Sequence, residues 1–441
     1  MKAYFYKLLF KYLSLYVFST DKLVSIFPAT NSLVSQFPQG KVVIDHSVVN
    51  SDNSFENERL EINEIKTYDP DFILLNGTLH YKRDIQKLLE QIYSQCQSRT
   101  RLVVTYYSSL WKPIMRLATF LGLRKNMPEG NWISHEDVNN LLYLSDFEII
   151  HSDYRVLFPL YIPLISDLLN RYIAPLPFFR AFNLVNIVVA KPVLATPVFS
   201  SQPSVSVVVA ARNEEGNIDD IIQRLPQMGP DDELIIIEGN STDNTWSKIQ
   251  EVYNKNKKRI NIQIGQQEGR GKGDAVRKGF EMAQKDILMI LDADLTVPPE
   301  DLPKFYKAMV SGKGEYINGS RLVYPMEKRA MRFFNIIGNK FFALAFSFVL
   351  GQRFKDTLCG TKVLTKDNYL QLAKHREYFG DFDPFGDFDL IFGSARMCLK
   401  IVELPVTYRE RVYGDTNISR WSHGLILLKM LFFAARKFKF I

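Results

Sequence analysis

The sequence has too few cysteines for a disulfide framework or a structural zinc site. Only Cys96, Cys359 and Cys398 occur among its 441 residues, and they are widely spaced. An odd number of distant cysteines matches neither the close pairs of zinc sites nor the arrays of small secreted domains. We therefore expect a protein of the reducing cytosol.

Long hydrophobic runs are absent as well. The most apolar later stretches, 341–350 and 425–435, are well short of the roughly 18 residues that a bilayer-spanning helix needs. The N-terminal stretch resembles a secretion signal at first sight, but Lys7 and Lys11 interrupt it and no small-residue cleavage site follows. These patterns predict a protein that is not integral to a membrane, although it can still contact one.

A strong excess of charge of one sign is also missing. The formal net charge is +7, with 55 Lys and Arg side chains against 48 Asp and Glu. This mild excess is spread along the chain, which argues against a protein dedicated to nucleic-acid binding. It remains compatible with anionic small substrates or an anionic membrane surface.

The composition suits two or three globular domains. The chain is 46% hydrophobic, enough to bury sizeable cores, and its length divided by about 150 residues per domain gives two or three. Three prolines punctuate residues 191–204, which predicts a linker between domains. We predict an N-terminal domain at 1–192, a linker at 193–203, a second domain at 204–423 and a basic amphipathic tail at 424–441.

Both halves alternate short apolar runs with amphipathic stretches, which is typical of α/β domains. The predicted strands of the first half are 22–27, 41–45, 71–75, 101–105, 147–151 and 184–190, with an amphipathic helix at 82–97. Those of the second half are 205–210, 233–238, 260–264 and 287–292, with helices at 217–225, 246–256 and 273–284.

The most informative pattern is Asp292-Ala293-Asp294, directly after an apolar strand. Two carboxylates two residues apart at a strand end suit a hard divalent cation. Such an ion would neutralise a diphosphate leaving group. We therefore take Asp292 and Asp294 as candidate ligands of Mg²⁺ or Mn²⁺. Taken alone, the pattern is weak, and an ordinary acidic turn after a strand is the alternative.

Three other polar segments accompany this pattern, at 210–215, 238–245 and 269–273. Each follows a predicted strand or begins a predicted helix, where open α/β sheets bind ligands. Glu238 is a candidate for binding a base or a ribose hydroxyl. Arg270 and Lys272 are candidates for binding phosphate.

In this order and spacing, the segments NEEGNI, EGNSTDNT, GRGKGDAVRKGFEMA and LDADL resemble a family 2 glycosyltransferase. The resemblance is to the branch that contains dolichol-phosphate mannose synthases and bacterial polyprenyl-phosphate glycosyltransferases. It continues through GSR, Asn339, DTLCGTK, FDL and ELPV, and covers residues 204–423.

This resemblance implies a GT-A fold, a nucleotide-diphosphate sugar donor, a divalent metal and inversion at the anomeric carbon. It places Asn213, Glu215 and Glu238 in the nucleotide pocket, Asp292 near the ribose or sugar, and Asp294 at the metal. The chain has Glu-Gly-Asn-Ser at 238–241, where many relatives have Asp-Asp-Gly-Ser. Base preference therefore stays open.

The acceptor side offers a second group of candidates. Asp389 stands where the family usually places an acid before its acceptor-side helix, and Asp387 is the nearby alternative. A hydroxyl acceptor needs such a base, whereas an anionic phosphate acceptor needs only positioning. Both acids could instead cap the helix. Further candidates are Arg321 for the donor, and Arg409, Arg411, Arg420, Asp356 and Lys362 for the diphosphate or the acceptor.

Two apolar stretches with basic punctuation, 333–350 and 425–441, could contact a membrane. In the resembling branch, the first region forms interfacial helices near the lipid acceptor, and such helices lie in the headgroup plane. Packing in the core or in a dimer explains the same pattern. The basic residues are Arg329, Arg332, Lys340, Lys429, Arg436, Lys437 and Lys439.

Residues 20–190 resemble the class I S-adenosylmethionine-dependent methyltransferases. The resemblance rests on KVVIDHS, with Asp45 ending a strand, and on YDPDFILLNGTLHY, RLVVTYYSSLW, FEIIHSDYRVLFP and LVNIVVAKP. The glycine-rich loop that would approach the cofactor is replaced by the glycine-free segment 26–31. We therefore expect a degenerate domain that serves as a scaffold, with His80 and Tyr81 as former substrate contacts or parts of an ordinary turn.

Together these patterns predict a two-domain α/β protein, with a Rossmann-like methyltransferase-type sheet followed by a GT-A domain. We predict a cytosolic, membrane-peripheral, inverting glycosyltransferase that uses a UDP-, GDP- or dTDP-sugar and a polyprenyl phosphate or growing glycan, without a nucleic-acid partner. The alternatives are a bifunctional glycosyltransferase and methyltransferase, and a non-catalytic nucleotide-sugar-binding scaffold.

Overall fold

The computed structural model describes residues 2–26, 33, 36–37, 62–122, 130–194, 199–325, 333–376, 386–414 and 420–441. The chain forms two compact units, Met1–Thr196 with Ala435–Ile441, and Pro197–Ala434. Several sequence predictions lie outside the described residues: the strand at 41–45 with Asp45, the loop positions 27–31, the linker positions 195–198, Arg329, Arg332 and the side chain of Arg420.

The N-terminal unit is built on a mostly parallel sheet. Its strands are β1 (Leu23–Ser25), β2 (Phe72–Asn76), β3 (Arg101–Tyr107), β4 (Phe147–Arg155) and β5 (Val185–Pro192), in the order β1-β2-β3-β5-β4. β1, β2 and β3 run parallel, whereas β5 is antiparallel to both neighbours. Every residue of β2 is buried, as expected for a strand covered on both faces.

Five α-helices of the N-terminal unit lie in its described part: α1 (Lys2–Leu13), α2 (Ile85–Tyr93), α3 (Lys112–Phe120), α4 (His135–Leu144) and α5 (Ile165–Leu168). Asp84 caps α2 by accepting a hydrogen bond from the Lys87 N–H at 2.9 Å. α2 buries its apolar side chains, as its sequence pattern predicts.

The second unit contains a larger, mixed sheet. Its strands are β6 (Val205–Ala211), β7 (Glu233–Glu238), β8 (Ile262–Gln266), β9 (Ile287–Asp292), β10 (Tyr316–Ser320), β11 (Lys362–Thr365) and β12 (Ile401–Pro405), in the order β12-β10-β11-β9-β6-β7-β8. β6 to β9 are mutually parallel. β11 is antiparallel to β9 and β10. The prediction of α/β architecture in both halves is confirmed.

The α-helices described in this unit are α6 (Ile218–Arg224), α7 (Thr245–Asn256), α8 (Lys272–Met282), α9 (Leu302–Val310), α10 (Phe333–Leu350), α11 (Lys366–Lys374), α12 (Phe388–Arg396) and α13 (Arg420–Ala434). α8 lies directly on β6, because a Cβ at Gly279 would overlap the side chain of Val208. Within the described ranges, no helix combines the length and the hydropathy that crossing a bilayer requires.

Candidate active site

Three polar segments of the second unit meet at one edge of its sheet. The parallel register pairs Ala211 of β6 with Glu238 of β7, and Ala210 of β6 with Asp292 of β9. Because these strands run in the same direction, the segments that follow them emerge side by side. The sequence predicted this convergence.

Asp292 lies at the end of β9 in contact with a lysine from α8. The Lys272 Nζ is 2.6 Å from Asp292 Oδ1. Burial alone would raise the pKa of Asp292, but the Lys272 charge outweighs it and lowers that pKa. On the other side, Gly360 leaves no space for a side chain, because a Cβ there would overlap the Asp292 carboxylate.

Asp294 is paired with an arginine from the segment after β12. The Arg411 Nη2 lies 2.7 Å from Asp294 Oδ2, and its Nη1 lies 2.9 Å from Glu214 Oε1. The Thr296 hydroxyl donates to Asp294 Oδ1 at 2.8 Å. Of the candidate arginines on the acceptor side, Arg411 is thus brought to the carboxylates, whereas Arg409 is exposed.

Glu214 belongs to this site, although sequence reasoning chose its neighbours Asn213 and Glu215. Its carboxylate is buried and also accepts a hydrogen bond from Asn217 Nδ2 at 2.7 Å. Burial raises the pKa of Glu214 to about 7, and Arg411 opposes that rise. The segment NEE at 213–215 was recognised in the sequence. The sequence did not indicate that its middle residue, Glu214, is the buried one.

The candidate nucleotide side is a polar loop between β7 and α7. The Asn213 Oδ1 accepts a hydrogen bond from the Thr242 N–H at 2.8 Å, which links the ends of β6 and β7. Glu238 is buried, and its Oε2 accepts from Gln266 Nε2 at 3.0 Å. Glu215 is half-buried and Arg270 is exposed at the loop before α8.

Asp387 is linked to Asp292 by Lys272, which lies near both carboxylates. The Asp387 Oδ1 lies 4.0 Å from the Lys272 Nζ and 3.7 Å from the Lys362 Nζ. That buried oxygen accepts no hydrogen bond from any described residue. Asp387 stands at the N-cap position of α12, but its side chain makes no capping hydrogen bond. Gly386 packs on α8, because a Cβ there would lie 2.5 Å from the Gly273 Cα.

Asp389 has a different environment from Asp387. It lies in the first turn of α12, and its Oδ2 is 3.4 Å from the Arg376 Nε. Between the two acids that the sequence offered, the geometry thus favours Asp387 for a role beside Asp292.

Arg321, Asp356 and Lys362 form buried supporting contacts. Arg321 makes a two-pronged ion pair with Asp356, at 2.7 and 2.9 Å, and Asn339 donates to the same carboxylate. Burial would raise the pKa of Asp356, but Arg321 lowers it to about 2. The Lys362 Nζ donates to Asn318 Oδ1 at 2.9 Å and to the Cys359 carbonyl at 2.6 Å.

Basic side chains hold the carboxylates where a metal was predicted. Within the described ranges, no group of three or more His, Cys, Asp and Glu side chains is arranged to hold a metal ion. Asp292 and Asp294 instead contact Lys272 and Arg411. The donor set still suits a hard cation, since it consists of carboxylates at a position that already attracts positive charge.

At the corresponding edge of the N-terminal sheet, α1 lies beside the ends of β2 and β3. Phe5 and Leu9 of α1 line a cavity of about 10 Å³ together with residues from those strand ends. That volume is near the minimum for one water molecule. His80 is buried beside it, with Nδ1 2.7 Å from the Asn131 carbonyl and Nε2 accepting from the Tyr107 N–H at 2.9 Å. These contacts favour an ordinary turn over a substrate contact at His80.

Comparison with known proteins finds relatives of the second unit. Residues 206–365 match the family described as glycosyl transferase family 2. The chain is 34% identical over 220 residues to a dolichol-phosphate mannosyltransferase of Pyrococcus furiosus, covering 48% of this chain and 59% of that protein. It is 28% identical over 235 residues to glycosyltransferase AglJ of Haloferax volcanii, covering 53% of this chain and 72% of that protein. It is 26% identical to an undecaprenyl-phosphate 4-deoxy-4-formamido-L-arabinose transferase of Proteus mirabilis, covering 50% and 64%.

Among solved structures, glucosyl-3-phosphoglycerate synthase from Mycobacterium tuberculosis, in complex with Mn²⁺, UDP and glucosyl-3-phosphoglycerate, aligns over 54% of this chain and 80% of its own. The identity is 16% and the TM-score is 0.39. The family match rests on sequence instead, and it confirms the prediction made from the ordered motifs. The C-terminal half of this chain contains a glycosyltransferase family 2 domain.

Proposed function

We propose that this chain is an inverting hexosyltransferase that moves a sugar from a nucleotide-diphosphate sugar to a polyprenyl phosphate. The observation that carries the proposal is the pair of carboxylates, Asp292 and Asp294, at the strand edge of a family 2 domain. The names of the relatives support the lipid acceptor, since two of them are transferases for dolichol phosphate or undecaprenyl phosphate. A growing glycan is the alternative acceptor.

Asp292 and Asp294 would hold Mg²⁺ or Mn²⁺. When bound, the ion would neutralise charge that develops on the diphosphate leaving group. Lys272 and Arg411 form ion pairs with these carboxylates within the chain. Both basic side chains are also candidate partners of the diphosphate oxygens. Asn213, Glu215, Glu238 and Arg270 remain candidates for the nucleotide.

Asp387 is our candidate for positioning on the acceptor side. A phosphate acceptor is already anionic and needs no base, so the Asp387 carboxylate would act by orienting Lys272. With a hydroxyl acceptor, the Asp387 Oδ1, which accepts no hydrogen bond from a described residue, would be placed to accept the hydroxyl proton. The acceptor therefore decides which role Asp387 has.

We further propose that the N-terminal unit is a degenerate methyltransferase-like scaffold that binds no cofactor. Its mostly parallel sheet is compatible with that origin, and α1 lies beside the ends of β2 and β3, where an open α/β sheet would bind a ligand. In the second unit, α10 and α13 expose apolar side chains that support peripheral membrane contact on the cytosolic side. These are Phe334, Ile337, Phe341, Leu344, Leu425, Leu428 and Phe432.

The test is a transfer assay with the purified chain. UDP-, GDP- and dTDP-hexoses are each incubated with Mn²⁺ or Mg²⁺ and with either a polyprenyl phosphate or a glycan. We expect one donor to give a sugar-labelled lipid phosphate that is extracted into organic solvent, with release of the nucleoside diphosphate and loss of activity in EDTA.

The alternatives predict other outcomes in the same assay. A non-catalytic scaffold would bind a nucleotide sugar without any turnover across the panel. A bifunctional enzyme would also bind S-adenosylmethionine, which calorimetry on the same preparation measures. Product in the glycan arm alone would overturn the lipid acceptor and retain the transferase.

A further inference from the structure

The helix α3 in the N-terminal unit turns its apolar side outward. Leu110, Ile114, Leu117 and Leu121 follow a helical spacing and are 58%, 52%, 57% and 58% exposed. No residue of α3 is buried. An amphipathic helix normally packs such a stripe on the core of its own domain.

The helix α2 of the same unit provides the contrast. It has the same kind of apolar spacing, and it buries Ile85, Leu88, Leu89 and Ile92. Since both helices belong to one unit and only α2 covers the core, the stripe of α3 has no such role in the fold. A contiguous exposed apolar patch on a protein surface is typical of an interaction site.

The charge around α3 identifies the chemistry of the partner. α3 contains two charged residues, Lys112 and Arg116, and both are basic. They lie one turn apart on the helix, on the side opposite Ile114 and Leu117. A basic polar face combined with an apolar face is the pattern of helices that lie in the headgroup region of an anionic bilayer.

Aromatic side chains extend the same surface. Phe120, next to the stripe, is 87% exposed. The Trp111 Nε1 donates to the Phe182 carbonyl at 2.8 Å, which joins the start of α3 to the turn Pro177–Phe182. In that turn, Phe178 and Phe182 are 77% and 52% exposed. Trp, Phe and Leu are typical of the apolar face of helices that lie at the boundary between headgroups and acyl chains.

We propose that this α3 surface, formed by Leu110, Ile114, Leu117, Phe120 and Leu121, docks the N-terminal unit onto an anionic lipid bilayer. The apolar stripe enters the boundary between headgroups and acyl chains, and Lys112 and Arg116 contact anionic headgroups. The inference does not depend on the proposed transfer reaction, because it concerns a surface of the other unit.

The experiment is cosedimentation of the full chain with vesicles of phosphatidylcholine, with and without phosphatidylglycerol. We expect binding to the vesicles that contain phosphatidylglycerol and much weaker binding to phosphatidylcholine alone. L117E/F120E should weaken binding to the anionic vesicles at least about tenfold, since each side chain contributes roughly 1.5 kcal/mol or more when it is buried in an apolar phase.

Y143E/L144E is the matched control. It places the same two charges at apolar positions of α4 that are 76% and 50% exposed, outside the α3 surface. It should bind vesicles like the unchanged chain, and circular dichroism should show that both variants are folded. A third variant, F334E/L344E on α10, measures how much of the vesicle binding is due to the second unit.

Two results would overturn the proposal. One is equal vesicle binding by L117E/F120E and the unchanged chain. The other is a chain that binds neither vesicle but self-associates in light scattering, with L117E/F120E monomeric, which would assign the surface to a second copy. A negative result in the transfer assay would not change the interpretation of vesicle binding or of self-association.

Discussion

The two α/β units of this chain differ in the residues that lie at the corresponding edge of their sheets. In the second unit, residues at or after the ends of β6 and β9 carry carboxylates that pair with Lys272 and Arg411, and the nearby buried Asp387 Oδ1 accepts no hydrogen bond from a described residue. In the N-terminal unit, α1 lies beside the ends of β2 and β3, and His80 has its hydrogen bonds within the unit. Shared architecture therefore does not give shared chemistry.

The N-terminal unit also has buried charges, but they tie the chain together. The Arg155 Nε lies 2.6 Å from Asp153, and its Nη1 donates to the Lys439 carbonyl at 2.7 Å. The Lys439 Nζ is 3.1 Å from the same carboxylate. These contacts hold the C-terminal residues in the unit, and all the charges involved are paired. In the second unit, in contrast, the buried Asp387 Oδ1 lies near two lysines but accepts no hydrogen bond from a described residue.

The largest effect is expected from removing a charge at the second unit's site. D294N should lower the transfer rate on the order of 10³-fold, because the amide no longer attracts a divalent cation strongly. Steady-state rates and Mn²⁺ titration check this. D367N, which changes an exposed acid on α11, should leave both values unchanged. Activity within tenfold of the unchanged chain would contradict the metal assignment of Asp294.

The next effect separates the two acids near α12. D387N should lower transfer to a polyprenyl phosphate by about 10- to 100-fold, because a charge-assisted contact near Lys272 is lost. D389N should alter transfer much less, since Asp389 contacts Arg376 instead. Comparison of kcat for both variants, with thermal unfolding as a control, is the measurement. The reverse ranking would restore Asp389 as the candidate acid.

Acid should weaken the N-terminal unit through His151. Burial lowers the pKa of this imidazole to about 4, and its Nε2 lies 2.7 Å from the Tyr16 hydroxyl. The unfolded chain binds a proton below about pH 6.5, whereas the folded chain does not, so stability is lost as the pH falls through that window. The expected loss is about 2 kcal/mol between pH 7 and pH 5.

Denaturant unfolding of H151Q tests this prediction. Glutamine keeps a hydrogen-bonding side chain but does not titrate, so the variant should lose about 2 kcal/mol less than the unchanged chain on the same acidification. An equal loss in both proteins would place the pH dependence elsewhere. Glu214, whose pKa is raised, has the opposite sign, because its protonated form is favoured in the folded state.

A smaller effect concerns Arg411. In the chain alone its guanidinium lies against Asp294, where it competes with a divalent cation. R411A should therefore bind Mn²⁺ about two- to fivefold more tightly in the absence of donor, a change typical of one partly exposed ion pair. Electron paramagnetic resonance measures free Mn²⁺ directly. R409A is the control, and weaker Mn²⁺ binding by R411A would show that the guanidinium does not compete.

The convergence of the second unit's motifs could be predicted from the sequence because it follows from local rules. Apolar runs predict parallel strands, and polar residues after them must meet at one edge. For the same reason, Asp292 and Lys272 could both be chosen as candidates. Neither choice required knowing which distant segments touch.

Contacts between distant segments could not be predicted. Arg411 reaches Glu214 across 197 residues, and the preference for Asp387 depends on the close approach of Gly386 to Gly273. The strand β10 escaped prediction because Asn318 and Ser320 are buried polar residues that break an apolar pattern. Amphipathic spacing likewise describes α2 and α3 equally well, although only α2 packs on the core.

The smallest expected signal is the binding of S-adenosylmethionine, and it tests the comparison directly. If α1 closes the N-terminal sheet edge, calorimetric titration of the full chain should give no binding heat, whereas a nucleotide sugar with Mn²⁺ should give one on the same preparation. Opening the edge would require α1 to leave apolar contacts such as that of Leu9, which is 2% exposed. Binding accompanied by faster proteolysis within α1 would show that the helix is a removable cover, and the two edges would then differ in access rather than in chemistry.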